Sequence, residues 1–491
     1  GDDDNGRFSK DYNDITNMTW SNILTYQTKI KKKHNLDLLA GYEINSKESD
    51  GLGTTISNFA RWDKPEVNNG VVYQSMGGSN STTRIVSYIT RANYDYDNKY
   101  YLGASWRTDG SSRLARENRW GNFWSLSGAW RVSSESFMKP LQNWLSDLKL
   151  RVSYGVNGTL PSSYYGYMGL SSLTSNYNDN PGITQSQLEN KELTWETNYN
   201  FNSGIDLGFF DNRLNVTFEY YVRTTKNLLY SRPLSLATGF SSYLANIGKL
   251  QNKGYELEIR STNIETKDFR WSTSLNLGHN ANKILKLDGD LKQVTSGTSI
   301  HKVGLPYSTY YMIEFAGIDP VDGEPMFYKN TTDENGNLNK ETTKDPRSAE
   351  KVILQCADPT ITGGLGNSIS YKWFDLNFNV NFSFGAWNYD GAAGKLEHGG
   401  DGTLNIPIYY RKRWQKEGDE TSIERFVVGR SISMTDYATT RRLYSGDYVR
   451  LKNLTFGFTL PKTWTRKVGI DNIRLYASGN NLLTWAAYDY I

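Results

Sequence analysis

The chain has 491 residues, with 34 Tyr, 14 Trp and 44 Gly but only 12 Pro, and a formal net charge of +3 at pH 7. The nearly balanced charge excludes the basic footprint of a nucleic-acid-binding protein. The single cysteine, Cys356, excludes an intrachain disulfide. No apolar run approaches the roughly 18 residues that a membrane-spanning helix needs. Abundant Tyr, Trp and Gly with little Pro are typical of long β-strands.

The clearest pattern is strict alternation of apolar and polar residues, which is the period of a β-strand whose two faces differ. From Phe374 to Phe384, every even position is Phe, Leu or Val and every odd position is Asp, Asn or Ser. The segment is about as long as a tilted strand needs to cross a bilayer, roughly 9–11 residues. A soluble sandwich shows the same alternation, so one strand leaves both folds open.

About fourteen strand-like segments follow one another along the chain. Together they predict an all-β protein built around one large antiparallel sheet. The segments are predicted to begin near Thr19, His34, Thr83, Tyr100, Asn122, Leu148, Trp195, Arg213, Gly254, Phe269, Ile361, Phe374, Tyr448 and Ile473.

The joins between these segments alternate between short and long. Short joins include 95–99, 210–213, 263–268 and 372–373, and long joins include 46–81, 108–121, 157–193, 227–253, 287–360 and 387–447. Two joins of intermediate length, 133–147 and 461–472, fall where a short one is due. Outer-membrane barrels have short periplasmic turns and long external loops. The alternation therefore predicts a transmembrane antiparallel β-barrel in which 287–360 and 387–447 are long extracellular loops.

Aromatic residues gather near several predicted strand ends. Membrane barrels place such residues in girdles at both bilayer interfaces, where an amphipathic ring suits the headgroup level. Ordinary cross-strand packing explains any single residue equally well, but the set favours a girdle. Its members are Trp120, Phe123, Trp124, Trp130, Trp373 and Trp387.

Short sequence motifs are spread from about residue 90 to 485. Near the end they are L-K-N-L-T at 451–455, L-P at 460–461, N-I-R-L-Y at 472–476 and G-N-N-L at 479–482. Earlier ones are R-T-D-G-S-S-R at 107–113, N-R-W-G at 118–121, A-W-R at 129–131, L-K-L-R-V-S-Y-G at 148–155 and N-K-G-Y-E at 252–256. Together these motifs resemble the C-terminal part of the SusC/RagA family of TonB-dependent outer-membrane transporters from Bacteroidota.

The resemblance implies a barrel of about 22 strands filled by a plug. We therefore expect residues 1–491 to form part of such a barrel, with the plug, the first strands and the closing strand outside this chain. Implied partners are a SusD-like surface lipoprotein that acts as a lid, TonB acting through the plug, the remaining barrel segments and outer-membrane lipid. The implied function is active import of oligosaccharides or peptides, without enzymatic activity or a cofactor.

Two aromatic-rich loop segments are candidates for contact with cargo or with the lid. One contains Tyr164, Tyr165 and Tyr167, and the other contains Trp387, Tyr389, Asp390 and His398. Aromatic faces beside a few polar groups suit the orientation of a sugar or a peptide. The alternative is that these side chains pack on each other or on the lid.

No catalytic or metal site is predicted, because the four histidines His34, His279, His301 and His398 show no metal-ligand spacing. Two rival functions remain at the level of sequence. A passive porin has the same wall without a plug, whereas a secreted carbohydrate-binding β-protein is soluble without detergent. The alternating joins argue against the soluble protein.

Overall fold

The computed structural model describes residues 6–488 except 62, 179, 288, 290, 335, 401–404 and 429–436, and it leaves out the side chains of 174–177, 394 and 468. Fourteen strands pair in chain order in one sheet, as predicted. They are β1 (Arg7–Ile30), β2 (His34–Phe59), β3 (Gly70–Tyr96), β4 (Tyr100–Ser111), β5 (Trp120–Arg131), β6 (Leu145–Thr159), β7 (Glu196–Phe209), β8 (Leu214–Lys226), β9 (Lys249–Glu265), β10 (Phe269–Lys286), β11 (Ile361–Tyr371), β12 (Phe374–Phe384), β13 (Tyr448–Thr459) and β14 (Arg474–Ala486).

The chain divides into two compact units. The first comprises Gly1–Glu135, Leu150–Asn202 and Arg223–Lys249, and the second comprises Ser136–Lys149, Ser203–Val222 and Leu250–Ile491. Strands β1–β5 lie in the first unit together with two loop hairpins, Leu170–Tyr177 with Asn180–Gln187 and Leu229–Pro233 with Ser242–Asn246.

The second unit carries most of the remaining loop structure. One loop sheet contains Gln293–Ser296, Ser299–Lys302, Thr309–Ile313 and Lys351–Cys356, and another contains Phe315–Ile318, Pro325–Tyr328 and Thr342–Thr343. A third pairs Trp387–Tyr389 with Leu443–Ser445. The α-helices are Gly391–Leu396 and Lys462–Thr465, and the 3₁₀ helices of the two units are Arg116–Asn118, Val132–Ser134, Ser136–Leu141, Leu236–Thr238, Pro346–Ser348, Ile408–Lys412, Thr440–Arg442 and Arg466–Val468. Among the described residues, no helix has the length and apolar character that crossing a membrane requires.

The alternation in β12 gives the sheet two distinct faces. Leu376 lies opposite Ile369 of β11 and Phe456 of β13, whereas Asn377 lies opposite Ser368 and Thr455. Directly opposed residues point to the same side of a sheet. The apolar residues therefore form one continuous face across three strands. Phe374 and Phe384 on that face are exposed, so this face of β12 is not buried against a second sheet.

Two aromatic rows mark the apolar face of the first unit. The upper row, on the side of the long joins, is Trp20, Tyr42, Tyr88 and Trp120, with successive ring centroids 6.1, 5.1 and 6.2 Å apart. The lower row is His34, Tyr96, Tyr100 and Trp130, with spacings of 5.0, 6.3 and 6.3 Å. Eight positions of a tilted strand separate His34 from Tyr42, which corresponds to a height of ~20 Å.

The apolar side chains between the rows are exposed, and they include Leu38, Leu102, Trp106 and Leu126. An apolar band about 25 Å tall between aromatic girdles is the lipid-facing belt of an outer-membrane barrel. The girdle interpretation of the sequence therefore fits Trp120 and Trp130.

Strands β1 to β3 are longer than the sequence pattern predicted. The predicted starts at Thr19 and Thr83 and the predicted long join 46–81 are wrong, because β1 begins at Arg7, β2 continues to Phe59 and β3 begins at Gly70. The ladder is continuous, with Tyr12 opposite Leu52 and Leu52 opposite Gly78. Ser, Thr, Asn and Gly populate both faces of these extensions, so the apolar alternation that signals a strand is missing there.

Successive joins lie at opposite ends of the strands, but their lengths are less regular than predicted. At one end they are 31–33, 97–99, 132–144, 210–213, 266–268, 372–373 and 460–473, and at the other end 60–69, 112–119, 160–195, 227–248, 287–360 and 385–447. Join 132–144 is longer than 112–119 because it contains two 3₁₀ helices.

One carboxylate in join 132–144 fastens it to the neighbouring strand ends. Glu135 accepts hydrogen bonds from the Tyr100 hydroxyl at 2.6 Å and from the Trp130 indole N–H at 3.2 Å. The Lys99 ammonium donates to its other oxygen at 3.3 Å. One donor from β4, one from β5 and one from join 97–99 thus converge on a single side chain, an arrangement that we call the Glu135 clasp.

The two faces of β12 should respond differently to a charge. Phe378→Arg places a guanidinium on the apolar face and is expected to cost about 2–4 kcal/mol of unfolding free energy in a bilayer. Asn379→Arg, one position along, places it on the polar face and should cost much less. Urea titration of each variant of the natural full-length protein in phospholipid vesicles measures the difference. Equal losses for the two variants would contradict the assignment of the faces.

Candidate contact sites in the loops

The first candidate group, Tyr164, Tyr165 and Tyr167, lies in join 160–195 of the first unit, and all three side chains are half-buried. The Tyr165 hydroxyl accepts a hydrogen bond from the backbone N–H of Thr82 at 3.0 Å. The Tyr165 carbonyl accepts another from the Gln187 side chain at 2.9 Å. Tyr165 therefore fastens its loop to β3 and to the hairpin 170–187.

Tyr167 packs against an apolar cluster beneath this loop. Leu114, Phe123, Leu193 and Trp195 form its buried core, and Leu160, Tyr167, Leu229 and Leu244 pack around it. The rings of Phe123 and Trp195 meet edge to face at 5.3 Å. Tyr167 is therefore part of a small loop core as well as partly exposed.

Phe123 does not belong to the aromatic girdle that the sequence predicted for it. It is buried, and a Cβ at Gly158 would lie 2.2 Å from its ring. Its place in the alternation of β5 explains the difference. Trp120, Trp124 and Trp130 occupy even positions and are exposed, whereas Phe123 occupies an odd position. Even and odd residues of a strand point to opposite faces.

Tyr164 has one face of its ring covered by a cation. The Arg113 guanidinium lies 4.4 Å from the ring centroid. Arg113 is itself held by hydrogen bonds to the Thr83 hydroxyl at 3.2 Å and to the Pro161 carbonyl at 3.0 Å. A fixed guanidinium over an aromatic face orients the ring, so Tyr164 is presented in a defined position while remaining half-exposed.

The second candidate group lies in join 385–447 of the second unit. Trp387 and Tyr389 are both half-buried on the short strand that pairs with Leu443–Ser445. The Tyr389 backbone N–H donates to the Tyr310 hydroxyl at 3.2 Å. Alternation along this strand puts both rings on one side and Asn388 on the other.

Asp390 and His398 have structural contacts in the same join. One carboxylate oxygen of Asp390 accepts from the backbone N–H groups of Ala392 at 3.0 Å and Ala393 at 2.8 Å, which caps the helix Gly391–Leu396. His398 is only 3% exposed, and its Nδ1 accepts from the Gly400 N–H at 3.2 Å. The structure therefore groups Trp387, Tyr389 and Asp390 on adjacent positions and places His398 in the loop interior.

Two buried ion pairs in this join were not predicted from the sequence. Glu424 is 0% exposed and pairs with Arg441. Glu397 pairs with Arg442 at 3.1 Å, and both side chains are buried. The partners are far apart in sequence, and only the adjacent arginines in a polar loop hint at an internal role.

Two tyrosines complete this network. Tyr410 donates to Glu424 at 3.0 Å, and Tyr409 donates to Glu397. Burial raises the pKa of both hydroxyls, and the neighbouring carboxylates raise them further. Burial would lower the pKa of Arg441, but Glu424, Tyr410 and Glu397 reverse that effect and raise it. The two tyrosine hydroxyls therefore stay protonated as donors, and Arg441 stays charged, at neutral pH.

This arrangement binds the loop together and offers no reaction chemistry. Each carboxylate pairs with a buried arginine and accepts a hydrogen bond from a tyrosine, so its oxygens are engaged within the loop. Within the described ranges, no group of three or more His, Cys, Asp or Glu side chains is placed to hold a metal ion.

A wall of fourteen two-faced strands with an exposed apolar belt defines an outer-membrane β-barrel protein. The family model described as "TonB dependent receptor-like, beta-barrel" matches residues 1–482. The chain belongs to this family.

Named relatives agree with this assignment. The chain is 34% identical to TonB-dependent receptor P3 of Formosa agariphila, with 98% of this chain and 49% of the relative covered. It is 31% identical to the TonB-dependent receptor SusC of Bacteroides thetaiotaomicron, with 81% and 40% covered. These relatives are receptors and not enzymes, as the sequence predicted. The chain spans about half the length of the curated relatives that it matches.

A solved structure is also similar over nearly the whole chain. The chain matches a structure entitled "Structure of the RagAB peptide transporter" with a TM-score of 0.84 and 28% identity. The match covers 98% of this chain and 53% of that one. The predicted SusC/RagA resemblance and the outer-membrane location are therefore confirmed.

Removal of one carboxylate should loosen join 385–447. Glu424→Ala leaves Arg441 buried without its partner, at an expected cost of about 3–5 kcal/mol of local stability. Hydrogen exchange of the join in the natural full-length protein in detergent measures this change. Glu417→Ala, at an exposed position of the same join, is the control and should leave exchange unchanged. Equal protection in the two variants would refute the structural role of the pair.

The apolar cluster under Tyr167 gives a second test. Phe123→Ala empties the loop core and is expected to cost about 3–5 kcal/mol, because the cavity lies between Trp195 and the glycine at 158. Cleavage of join 160–195 by added protease should become faster. Trp124→Ala, on the opposite face of the same strand, should leave cleavage near the wild-type rate. Faster cleavage in the Trp124 variant alone would show that Trp124, and not Phe123, points into the loop core.

Proposed function

We propose that this chain forms the barrel wall and the cargo- and lid-contacting loops of an active outer-membrane importer of oligosaccharides or peptides. In this proposal the importer works as a SusCD-like complex with a SusD-like surface lipoprotein, and TonB energises it through a plug region. The joins 287–360 and 387–447 are extracellular loops, and the short joins face the periplasm.

One observation carries the proposal above all. Strands β1 to β5 have an exposed apolar face bounded by two aromatic rows, and β12 sets an apolar face against a face of Asp, Asn and Ser. A wall with these faces separates hydrocarbon from an aqueous lumen. Family membership supports an energised receptor over a passive porin, since the named relatives are TonB-dependent.

The loop geometry supports two different roles for the candidate residues. Tyr164, Trp387 and Tyr389 present half-exposed rings on ordered supports and are proposed to touch cargo or lid. Tyr165, Tyr167, Asp390 and His398 are proposed to act mainly by holding those supports in place. This role is supported by the hydrogen bond to Tyr165, the packing of Tyr167, the helix cap at Asp390 and the burial of His398.

The two cargo classes remain alternatives within the proposal. The similar solved structure is named a peptide transporter, which favours peptides. Aromatic rings beside amide and hydroxyl groups suit sugars equally well.

Uptake of labelled oligosaccharides and peptides by whole cells tests the proposal. Uptake should require TonB and should stop when TonB is deleted. Uptake that continues without TonB, together with steady conductance in planar bilayers, would establish the passive porin instead.

The aromatic contacts are tested in the same assay. Trp387→Ala removes one ring and is expected to weaken cargo capture by about 1 kcal/mol, roughly a fivefold rise in the half-saturating concentration. Asn388→Ala, on the other side of the same strand, is the control and should leave uptake unchanged. Unchanged uptake in the Trp387 variant at equal surface abundance would remove this residue from the contact site.

A further inference from the structure

A row of aromatic and apolar side chains marks the upper edge of the lipid-facing belt in the second unit. The rings of Tyr255 on β9 and His279 on β10 have centroids 4.9 Å apart. His279 lies opposite Ile361, which in turn lies opposite Phe384 of β12. Phe384 is ten positions from Phe374 at the lower end of its strand, a height of ~25 Å for a tilted strand. The row therefore lies at the membrane interface on the side of the long joins.

Two lysines stand just above this row. Lys253 is two positions beyond Tyr255 on β9, and Lys283 is four positions beyond His279 on β10. Alternation places both lysines on the outward face, at heights of ~5 and ~10 Å above the row. Both side chains are exposed. Within the described part of the chain, neither side chain makes an ion pair or a hydrogen bond, so their charges are available to a ligand.

The residues next to these lysines point the other way. The side chain of Asn282 donates to that of Asn252 at 2.8 Å. A Cβ at Gly254 would lie 2.7 Å from the Tyr221 hydroxyl, and Tyr221 alternates with the apolar residues of β8. Asn252 and Gly254 therefore face the lumen with Tyr221. Lys253 lies between them in sequence and faces outward.

The two lysines are close enough to hold one anion together. The hairpin that joins β9 to β10 makes these neighbouring strands antiparallel. Because Tyr255 faces His279 across the pair, Lys253 lies opposite Ala281 and Lys283 is its diagonal neighbour. Diagonal neighbours on one face are about 7–8 Å apart, within reach of long side chains. Two ammonium groups can thus converge on a single phosphate.

An apolar track runs from the lysines down into the lipid belt. It consists of alternate residues of the same two strands, and these are Tyr255, Leu257 and Ile259 on β9 and Leu275 and Leu277 on β10. Both strands have a neighbour on each side within the sheet, so this face is an outer surface of the wall. In the proposed importer the plug lies in the lumen and the lid lies on the loops, and neither covers it.

Position and charge together select the occupant of this surface. Cargo in the lumen meets the opposite face of the strands. A soluble anion would use the two lysines but leave the apolar track without a partner. An amphiphile with a phosphorylated headgroup uses both, because its charge lies at the interface and its acyl chains lie in the belt. The outer leaflet of an outer membrane is built from such an amphiphile, lipopolysaccharide, whose lipid A headgroup carries phosphate on acylated sugars.

We propose that Lys253 and Lys283 bind a phosphate of lipid A from the outer leaflet, with its acyl chains along the track below Tyr255. The inference rests on the orientation in the proposed function, in which join 287–360 is extracellular. An ammonium group binds phosphate as a point charge, and each lysine near an anionic membrane surface is expected to raise affinity about fivefold. The bound lipid fastens the outer leaflet to the end of β10, from which join 287–360 departs.

Site-specific photocrosslinking in whole cells tests the position of the site. The photoreactive residue p-benzoylphenylalanine replaces Ala281, beside both lysines on the outward face, in the natural full-length protein. An adduct with lipopolysaccharide should form and is detected with an antibody against lipid A. The matched control replaces Trp271, on the same face at the lower end of β10, and should give no such adduct. An equal adduct at 271, or none at 281, overturns the proposal.

Removal of the charges gives the second measurement. The double variant Lys253→Gln and Lys283→Gln should lower the adduct at 281 about 25-fold, fivefold for each lysine. Lys286→Gln removes an exposed lysine from the opposite face of β10 and should leave the adduct unchanged. Heat-modifiable migration on gels verifies that each variant is folded in the membrane. An adduct that survives in the double variant, or falls equally in the Lys286 variant, refutes the assigned lysines.

Native mass spectrometry of the purified full-length protein in detergent separates the lipid from a soluble anion. Lipid A should bind, and dephosphorylated lipid A should bind as weakly as lipid A binds to the double variant. Inorganic phosphate at a concentration equal to that of lipid A should not displace it. Displacement under that condition would reveal a site for free phosphate and overturn the proposal, as would equal binding of the two forms of lipid A.

The outcome is separable from that of the proposed function. If protease added to whole cells cleaves join 287–360 but no lipopolysaccharide adduct forms at 281, the lipid site is wrong and the orientation stands. If the adduct forms at 281 but uptake does not depend on TonB, the importer fails and the lipid site stands. If the adduct forms at 271 and not at 281, the orientation and the lipid site both fail.

Discussion

The whole structure depends on the pairing of backbone N–H and C=O groups between neighbouring strands. Inside a membrane each unpaired group costs several kcal/mol. Because the backbone pairing is fixed by this cost, the sequence can vary only in which side chains it places on each face of the sheet. In β12 that choice is resolved position by position, with Leu376 on one side and Asn377 on the other. The same parity runs through β11 and β13. The two faces of the wall, and every function built on them, follow from this single constraint.

The long joins are ordered by two different kinds of interior. In the first unit, Phe123 and Trp195 form an apolar core that needs glycine at position 158. In the second unit, arginine pairs with buried carboxylates, as Arg441 does with Glu424. A polar join such as 385–447 buries little apolar surface, and its network of hydrogen-bonded ion pairs holds it in one conformation instead. The half-exposed rings of Tyr164, Trp387 and Tyr389 are therefore held in place by ordered loops.

The wall was predictable from sequence to the extent that the pattern is local. Strands β11 and β12 begin at the predicted residues, Ile361 and Phe374, because lipid on one side enforces alternation. The prediction fails where water touches both faces, as in the extensions of β1 to β3, since Ser, Thr and Gly carry no periodic signal. Contacts between distant residues, such as those of Arg441 with Glu424 and of Arg442 with Glu397, have no local signature. Parity alone would have separated Phe123 from the exposed tryptophans.

The Glu135 clasp has a consequence for acid tolerance. Hydrogen bonds from Tyr100 and then Trp130 hold the pKa of Glu135 below its ordinary value, and Lys99 adds to the effect. Because the folded pKa is the lower one, the stabilisation is complete above the unfolded pKa and fades only as pH falls through the folded value. Mild acidification therefore leaves the carboxylate charged. Acid therefore loosens the join at these strand ends at a lower pH than it would with a glutamate of ordinary pKa.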